Sequence, residues 1–317
     1  MKSDRRGFLK GLGGGLLAMG FLREMGVGNA RAADKQSGVK VGMTDWNLGG
    51  TCNPDKIPLA KEAGLDGLQI SVATDPGNVP LRDPAVRRKY LEMSDKHGIA
   101  ICSVAAGSIL NSIPLATEPQ SAVYVIDAVE AAKALGADNI LMAFFGNGDL
   151  RLKDAQGNVR NISEDPKWKE YELDTQGVTR VVEVLRQIAP RAEDAGVILG
   201  LENTISGKQN LEIIERVGSP MLQVYYDVGN STGNGYNVPA EIRMLGKQRI
   251  CEVHLKDWGT PMLGSSKAQV DMKACAEALK EIGYEKWYVL ETSGRDRKKS
   301  FVEDTRANVA FAKKTFA

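Results

Sequence analysis

Histidine is scarce in this chain, with only His97 and His254 among its 317 residues. A phosphodiester nuclease built on a trinuclear zinc cluster needs several histidines, so this class of enzyme is excluded. Net charge is lacking too, because 41 Lys and Arg nearly balance 40 Asp and Glu. Without a basic field, neither nucleic acid nor an anionic membrane surface is an expected partner. Partners must therefore be inferred from a local site.

Cysteine is also sparse, and its spacing matches no common motif. The four cysteines form no C-x-x-C pair, which argues against thioredoxin-like and zinc-knuckle sites. Cys102 and Cys251 lie in apolar runs typical of strands, where a buried free thiol is expected. We therefore assign the cysteines no chemistry.

The N-terminus contains no apolar run long enough to cross a bilayer. Its Gly-rich stretch at 11–21 is too short for a hydrocarbon core of roughly 30 Å, so no stable membrane insertion is expected. The stretch follows Arg5-Arg6 in a basic segment and precedes Ala30-Arg31-Ala32, which has the form of a cleavage site. This order resembles a twin-arginine export signal at residues 1–32; the alternative is an ordinary disordered basic tail. A signal implies the twin-arginine translocation machinery as a partner and a periplasmic or otherwise exported protein.

Downstream of this segment, short β-like runs alternate with amphipathic helical stretches, the pattern of parallel strands joined by crossover helices. The predicted strands are Val39–Met43, Gly67–Ser71, Ile99–Val104, Asn139–Ala143, Val197–Glu202, Leu222–Tyr226, Ile250–His254 and Trp287–Glu291. Eight such units favour a closed barrel over an open sheet. Residues 33–317 are therefore predicted to form one α/β domain, a (β/α)8 TIM barrel.

Two segments interrupt the regular alternation. The first is a long polar loop at Gly146–Tyr171, after the fourth strand, and the second is a loop rich in Gly and Asn at Gly229–Asn237, after the sixth. Both are predicted to emerge at the C-terminal face of the barrel, where such folds place their active sites.

The last four predicted strands end in side chains that bind metals: Glu202, Asp227, His254 and Glu291. In a parallel barrel these strand ends converge on one rim of the same mouth. Three carboxylates placed together repel one another unless a cation compensates their charge. We therefore predict one divalent metal ion, with Mn²⁺ or Mg²⁺ favoured by the oxygen-rich set and Co²⁺ or Zn²⁺ allowed by the imidazole.

Other polar and aromatic side chains lie beside these strand ends. Lys256 and Asp257 follow His254 directly, either as rim contacts to a substrate or as part of a solvated loop. Trp46 and Trp258 lie just beyond the first and seventh strands, where an indole can stack on a sugar face or simply pack the mouth. We take these four residues as candidate substrate contacts.

From about Val39 to its C-terminus, the sequence resembles the xylose isomerase-like TIM barrel superfamily, which includes sugar-phosphate isomerases and epimerases. The segments that carry the resemblance are Gly200–Asn203, Asp227–Asn230, His254–Asp257, Leu263–Asp271 and Leu290-Glu291. The resemblance implies that Glu202, Asp227, His254 and Glu291 bind one Mn²⁺-like ion. It also implies that Glu202 and Glu291 are the catalytic pair, which exchanges a proton with a substrate carbon next to a carbonyl through an enediolate.

The sequence departs from the family's pattern at three positions. Asn230 stands where many epimerases have a substrate-contacting His, and it is a further candidate substrate contact. Thr260 stands where they often have Arg, with Lys256 as a stand-in. Gln69 stands where relatives commonly have Glu. These departures leave the particular sugar and the carbon attacked open.

The predicted function is that of a metal-dependent sugar isomerase or epimerase. Phosphorylated sugars are scarce outside the cytoplasm, and no phosphate-binding motif occurs, so an unphosphorylated sugar or sugar derivative is the expected substrate. One alternative is a metal-dependent lyase or dehydratase that acts on a keto-sugar or keto-glycoside through the same carbanion. Another is a non-catalytic exported carbohydrate-binding protein, against which the presence of both Glu202 and Glu291 argues. The sequence leaves the oligomeric state open, a homo-oligomer included.

Overall fold

The structure is a computed structural model that describes residues 38–292 and 299–317. The predicted export signal at 1–32 lies outside the described residues. Within the described ranges, eight parallel strands close into a barrel in chain order. The strands are β1 Val41–Thr44, β2 Gly67–Ser71, β3 Ala100–Ala105, β4 Asn139–Phe144, β5 Ile198–Asn203, β6 Leu222–Asp227, β7 Ile250–Leu255 and β8 Tyr288–Leu290. The predicted (β/α)8 barrel is confirmed, with each strand end within two residues of its expected position.

Helices connect successive strands and cover the outside of the barrel. In the described part of the chain they are α1 Asp45–Leu48, α2 Ile57–Glu62, α3 Pro84–His97, α4 Gly107–Ser112, α5 Ala122–Leu135, α6 Thr175–Ala195, α7 Gly207–Val217, α8 Val228–Gly233, α9 Val238–Arg249, α10 Met272–Glu281 and α11 Phe301–Thr315. Neither length nor apolar composition equips any helix of these described ranges to cross a bilayer.

Helix α6 shows how the sequence specifies these elements. The Asp174 side chain accepts hydrogen bonds from the first backbone N–H groups of the helix, which satisfies donors that lack a partner within the helix. Val178, Leu185 and Ile188 recur with helical spacing and are buried, so they form the stripe that packs on the barrel. The helix ends at Gly196, whose φ of 70° is the left-handed conformation that glycine adopts without strain.

Close packing inside the barrel sets the position of β5, the strand that carries Glu202. Gly200, two residues earlier on β5, faces the barrel interior, where an added Cβ would lie 2.7 Å from Ile140 O and 2.8 Å from Cys251 Sγ. No larger residue fits there without displacement of β4 or β7. Backbone packing therefore accounts for the glycine at position 200, whereas Glu202 belongs to the group of side chains at the C-terminal end of the barrel.

The region at Gly229–Asn237 differs from its predicted form as a loop, because it contains helix α8. The Asp227 side chain accepts a hydrogen bond from Asn230 N at 2.8 Å, and Thr232 Oγ1 donates to Val228 O at 2.8 Å. These local hydrogen bonds compensate for the low helix propensity of the Gly, Asn, Ser and Thr residues. The prediction from composition was wrong here because it ignored the aspartate that begins the helix.

The polar segment between β4 and α6 is folded against α8. Within it, Arg151 pairs with Leu173 and Asn161 with Tyr171 in short antiparallel bridges. Arg151 Nη1 donates to Asn234 Oδ1 at 2.8 Å, and Tyr171 Oη donates to Asn234 O at 3.2 Å. The segment after β4 is thereby connected to the segment after β6 at the same end of the barrel.

The four cysteines are all free thiols. Cys102, Cys251 and Cys275 are buried, which confirms the expectation for the first two, and Cys52 is partly buried. The Cys52 Sγ donates to Ser71 O at 3.1 Å. The barrel is therefore stabilised by its packed core and its hydrogen-bonded sheet, without a disulfide bond between any of these described cysteines.

Candidate metal centre

Four side chains from consecutive strands meet at the C-terminal end of the barrel: Glu202, Asp227, His254 and Glu291. One nitrogen or oxygen atom of each lies within 4.8 Å of those of the other three. The Nδ1 atom of His254 is 3.2 Å from Glu202 Oε1, 3.5 Å from Glu291 Oε2 and 3.7 Å from Asp227 Oδ2. The convergence predicted from the strand ends is thus present.

Strand pairing explains why these residues are at one level. Asp227 on β6 is directly opposite His254 on β7 in the ladder. The next neighbour, β8, pairs His254 with Val289, and the Glu291 N–H continues the pairing with a hydrogen bond to Leu255 O at 3.1 Å. Because side chains alternate along a strand, this register directs the ligand residues to the same side of the barrel wall.

The site is buried, so its electrostatics are strong. Glu202 and Asp227 are each 4% exposed, and His254 is fully buried. Burial raises the pKa of Glu202 to about 7, with His254 opposing that rise. Burial acts in the same direction on Asp227, but Lys256 and His254 outweigh it and hold the pKa of Asp227 below its usual range. Burial alone would lower the pKa of His254; Glu291 and Glu202 instead raise it well above its ordinary value.

Lys256 supplies part of the positive charge that the carboxylates need. Its ammonium lies 2.9 Å from Asp227 Oδ2 and 2.5 Å from Glu291 Oε2. Asn230, also predicted to line the site, donates from Nδ2 to Glu202 Oε1 at 3.4 Å. Both candidate substrate residues therefore contact the ligand set itself.

The residues present fit a divalent cation. Asp227 Oδ2 is buried and accepts no hydrogen bond from any described residue, although it lies close to the Lys256 ammonium. A buried carboxylate oxygen without a hydrogen bond is costly, and a metal ion would satisfy it. Three carboxylates and one imidazole are ligands that Mn²⁺ and Mg²⁺ accept, with Co²⁺ and Zn²⁺ compatible with the nitrogen. Among residues 38–292 and 299–317, no other group of His, Cys, Asp and Glu is arranged in this way.

A cavity of about 340 Å³ opens beside the two glutamates. Its walls come from β2, β4, β5 and α4 and from the segments that follow β1, β4 and β8. The lining residues are Trp46, Thr51, Ser71, Gly107, Ser108, Asn111, Leu141, Ala143, Phe145, Glu202 and Glu291. Trp46 also lies edge-on to His254, with ring centroids 6.4 Å apart. A pocket of this volume and mixed polarity suits a small polar molecule that binds next to the four-residue group.

Two predicted substrate residues lie elsewhere. Both carboxylate oxygens of Asp257 accept hydrogen bonds from the backbone N–H groups of Gln269 and Val270, which fixes the loop between β7 and α10. Trp258 is 45% exposed, packs over Gly233 and does not line the cavity. Of the predicted contacts, the structure thus brings Trp46, Asn230 and Lys256 to the site.

Sequence reasoning missed the contribution of α4, which provides Gly107, Ser108 and Asn111 to the cavity wall. Asn111 Oδ1 accepts a hydrogen bond from Phe145 N at 3.0 Å, so α4 is tied to the end of β4. The available signal was position: these residues directly follow the third strand, and strand-to-helix loops build the active face of a barrel.

Residues 57–315 match the family of xylose isomerase-like TIM barrels, so the chain belongs to this family. It is 25% identical over 228 residues to 2-epi-5-epi-valiolone 7-phosphate 2-epimerase of an Actinoplanes species, covering 72% of this chain and 75% of the relative. It is also 25% identical over 271 residues to a provisionally assigned L-ribulose-5-phosphate 3-epimerase of Escherichia coli, covering 80% and 88%.

A solved structure of D-psicose 3-epimerase with D-tagatose, from Clostridium cellulolyticum, has the same fold with a TM-score of 0.67. Its sequence is 16% identical, and the match covers 88% of this chain and 99% of that one. The family match and the curated relatives place the chain among enzymes of the isomerase and epimerase class, as predicted.

Mn²⁺ added to chelator-treated protein is expected to bind with one equivalent and to raise the melting temperature. A ligand that binds only the folded state stabilises it by about 2.7 kcal/mol at a hundredfold excess over Kd. Asp227→Asn should remove most of this shift, because it removes the buried oxygen that has no hydrogen bond. Isothermal titration calorimetry and thermal unfolding measure both effects.

Asp257→Asn is the matched control. Asp257 also lies just after a barrel strand, β7, but its carboxylate already accepts hydrogen bonds from backbone N–H groups. This variant should keep the Mn²⁺-dependent shift even though its loop is weakened. Equal Mn²⁺ affinity in Asp227→Asn and the wild-type protein would contradict the assignment of the centre.

Proposed function

We propose that the protein is a metal-dependent sugar isomerase or epimerase that moves a proton next to a carbonyl, with Glu202 and Glu291 as the proton-transfer pair. The observation that carries this proposal is that both glutamates border the same cavity of about 340 Å³ and flank His254. A substrate in that cavity would lie within reach of two carboxylates from different strands. General acid–base catalysis on carbon needs this arrangement, since one group removes the proton and another returns it.

The surrounding residues have distinct tasks in this mechanism. Glu202, Asp227, His254 and Glu291 would hold one divalent ion, Mn²⁺ or Mg²⁺ by the chemistry of the donors. When bound, this ion would supply a Lewis acid that polarises the substrate carbonyl and so makes the neighbouring C–H more acidic. Lys256 holds Glu291 and Asp227 in place through its ion pairs, and Asn230 orients Glu202. Trp46 and Phe145 provide apolar surface that orients the sugar and keeps water out.

The cavity lining supports an unphosphorylated sugar or sugar derivative as the substrate. Among the described residues of the lining there is no Lys or Arg, whereas phosphate groups are usually bound by cationic side chains. The curated relatives are named for sugar phosphates, and the solved structure with D-tagatose contains a sugar that has no phosphate. The composition of the wall makes the second kind of substrate the better fit here.

Glu202→Gln and Glu291→Gln are each expected to lower turnover by about three orders of magnitude, because an amide cannot accept the proton. The measurement is proton NMR of unphosphorylated ketoses and keto-glycosides in D₂O with Mn²⁺-loaded protein. Deuterium should enter next to the carbonyl with the wild-type protein, and product formation should be lost in each variant. The glutamate that remains can still exchange a proton on its own face of the substrate. Glu212→Gln, an exposed change on α7, is the control and should exchange at the wild-type rate.

The same spectra identify the reaction type. A product that differs only in configuration or carbonyl position indicates an isomerase or epimerase, whereas a product that has lost a substituent indicates a lyase. Full turnover by Glu202→Gln or by Glu291→Gln would contradict the proposed acid–base pair.

Substitution of the two tryptophans predicted as sugar contacts, Trp46 and Trp258, should have different effects on substrate affinity. Trp46→Ala removes a wall of the cavity and should raise KM by about tenfold or more, the scale expected for loss of an aromatic contact. Trp258→Ala removes a side chain outside the cavity and should leave KM within about twofold. Steady-state kinetics on the substrate found by NMR measures both, and a larger effect at Trp258 would place the sugar outside this cavity.

We also propose that residues 1–32 direct export through the twin-arginine pathway. Supporting features are Arg5-Arg6, the short apolar stretch and Ala30-Arg31-Ala32. In a bacterial host with this pathway, the exported fraction should contain protein that begins near Ala33, detected by mass spectrometry. Replacement of Arg5 and Arg6 by Lys preserves the charge and should retain the protein in the cytoplasm. Equal export of the Lys-Lys variant would overturn the proposal.

A further inference from the structure

Gln69 in the middle of β2 is fully buried and contacts the ring of His254 on the side away from the carboxylates. Its Oε1 atom is 2.9 Å from His254 Nε2. Its Nε2 atom donates to Ser103 Oγ at 3.0 Å and to Tyr225 Oη at 2.8 Å. The amide therefore has its acceptor directed at the imidazole and its donors directed at two hydroxyl groups.

This orientation decides which imidazole nitrogen carries the proton. A carbonyl oxygen only accepts hydrogen bonds, so the Gln69 Oε1 contact requires a proton on His254 Nε2. In a neutral imidazole the other nitrogen, Nδ1, then has a free lone pair. That atom lies within 3.7 Å of oxygen atoms of Glu202, Asp227 and Glu291. The nitrogen left free is the one that faces the candidate metal centre.

The ring is also held in position by its neighbours. Tyr225, which accepts from the Gln69 amide, lies edge-on to His254 with ring centroids 4.5 Å apart. Trp46 lies edge-on from another direction at 6.4 Å. Tyr225 therefore packs against the ring and also orients the amide that contacts it. Rotation of the imidazole would break the Gln69 contact and disturb both aromatic contacts.

We propose that Gln69 is a positioning residue: it fixes His254 in the tautomer with a proton on Nε2, which leaves Nδ1 to bind the cation. The inference rests on the proposed metal-dependent function. A partner that holds the second nitrogen of a metal-binding histidine commonly changes metal affinity by about 10- to 100-fold. Gln69 does this as a neutral acceptor, so it adds no fourth negative charge to a buried group that already contains three carboxylates.

The test compares two substitutions of Gln69 in the full chain. Gln69→Met keeps the volume and removes the acceptor, and it is expected to weaken Mn²⁺ binding by about 10- to 100-fold in calorimetric titrations. Gln69→Glu keeps an acceptor for Nε2–H, and the Ser103 and Tyr225 hydroxyls can donate to it. Its Mn²⁺ affinity should be no more than about threefold weaker than that of the wild type, because the acceptor is kept and an added negative charge does not oppose a cation.

A second measurement reads the tautomer directly. Because the chain has two histidines, His97→Gln leaves His254 as the single imidazole. Nitrogen-15 NMR of the Mg²⁺-loaded protein should show protonated Nε2 and unprotonated Nδ1 in this background. The same pattern is expected with Gln69→Glu. In Gln69→Met the Nε2–H signal should shift and exchange with solvent faster, because that proton has lost its acceptor. A role in packing alone would change stability and leave these signals as they are.

Gln209→Met is the matched control, because Gln209 is also buried and makes two side-chain hydrogen bonds. It donates to Tyr171 O at 2.6 Å and accepts from Ser206 N at 3.1 Å, at the start of α7. This variant should lose stability and keep its Mn²⁺ affinity. If Gln69→Met does not fold, the double variant Ser103→Ala/Tyr225→Phe replaces it, since it keeps Gln69 and removes both acceptors of its amide. That variant should bind Mn²⁺ at least about fivefold more weakly.

The outcomes separate this inference from the proposed function. If the wild-type protein binds Mn²⁺ and Gln69→Met has the same affinity and the same Nε2–H signal, the role of Gln69 alone is overturned. Unchanged affinity in the double variant, where that variant is needed, would overturn it equally. Failure of the wild-type protein to bind any divalent cation would overturn the metal centre itself and this role with it.

Discussion

The concentration of three carboxylates in a buried position is the constraint on which the rest of the site depends. Like charges in a medium of low polarity repel strongly, and burial adds a desolvation cost to each ionised group. The chain offsets this with His254, which lies within 3.7 Å of all three carboxylates, and with Lys256, which pairs with two of them. Without a bound ion, the Lys256 ammonium and a protonated His254 balance part of this charge. A divalent ion would replace the proton on His254 Nδ1 and balance the remainder.

The barrel makes this concentration achievable because the backbone determines the positions of the ligands. Register between β6 and β7 sets Asp227 opposite His254, and the hydrogen bond from Glu291 N to Leu255 O extends the same ladder past β8. Gly200 lets β5 approach its neighbours closely enough to place Glu202 beside them. Ligands held on strands lose little freedom when they bind, since the sheet fixed them when it folded. Flexible loops would have to order four charged side chains at the moment of binding.

The barrel and the centre of the site could be predicted from the sequence because both depend on periodic features. The alternation of strands and helices defines the fold, and polar side chains at the ends of consecutive strands must then share one face. Residues outside that pattern were harder to place. Asp257 follows a strand end as Asp227 does, yet its carboxylate is used by the backbone of its own loop, a contact between residues twelve apart that no local pattern indicates. Helix α8 was missed for a local reason, the hydrogen bond that its first turn makes to Asp227. The α4 wall, in contrast, depends on residues that meet only after the barrel closes.

Gln69 illustrates the remaining gap between sequence and structure. On sequence grounds it was only a departure from the residue type that relatives commonly have in the second strand. Its three hydrogen-bonding partners come from β3, β6 and β7, and they are brought together by barrel closure. The role of such a residue depends on contacts across the barrel interior, and the sequence alone does not show which residues make them.

The state of the cysteines has a consequence for where the protein can fold. All four thiols are free, and three of them are sealed inside the packed structure. Burial raises the pKa of Cys52 to about 12, so this partly buried thiol stays protonated and reacts slowly with oxidants. No covalent crosslink has to form before the barrel is stable, and none is at risk of reduction afterwards. The fold is therefore indifferent to redox potential: it can be completed in a reducing compartment and persist in an oxidising one without help from thiol oxidases or isomerases.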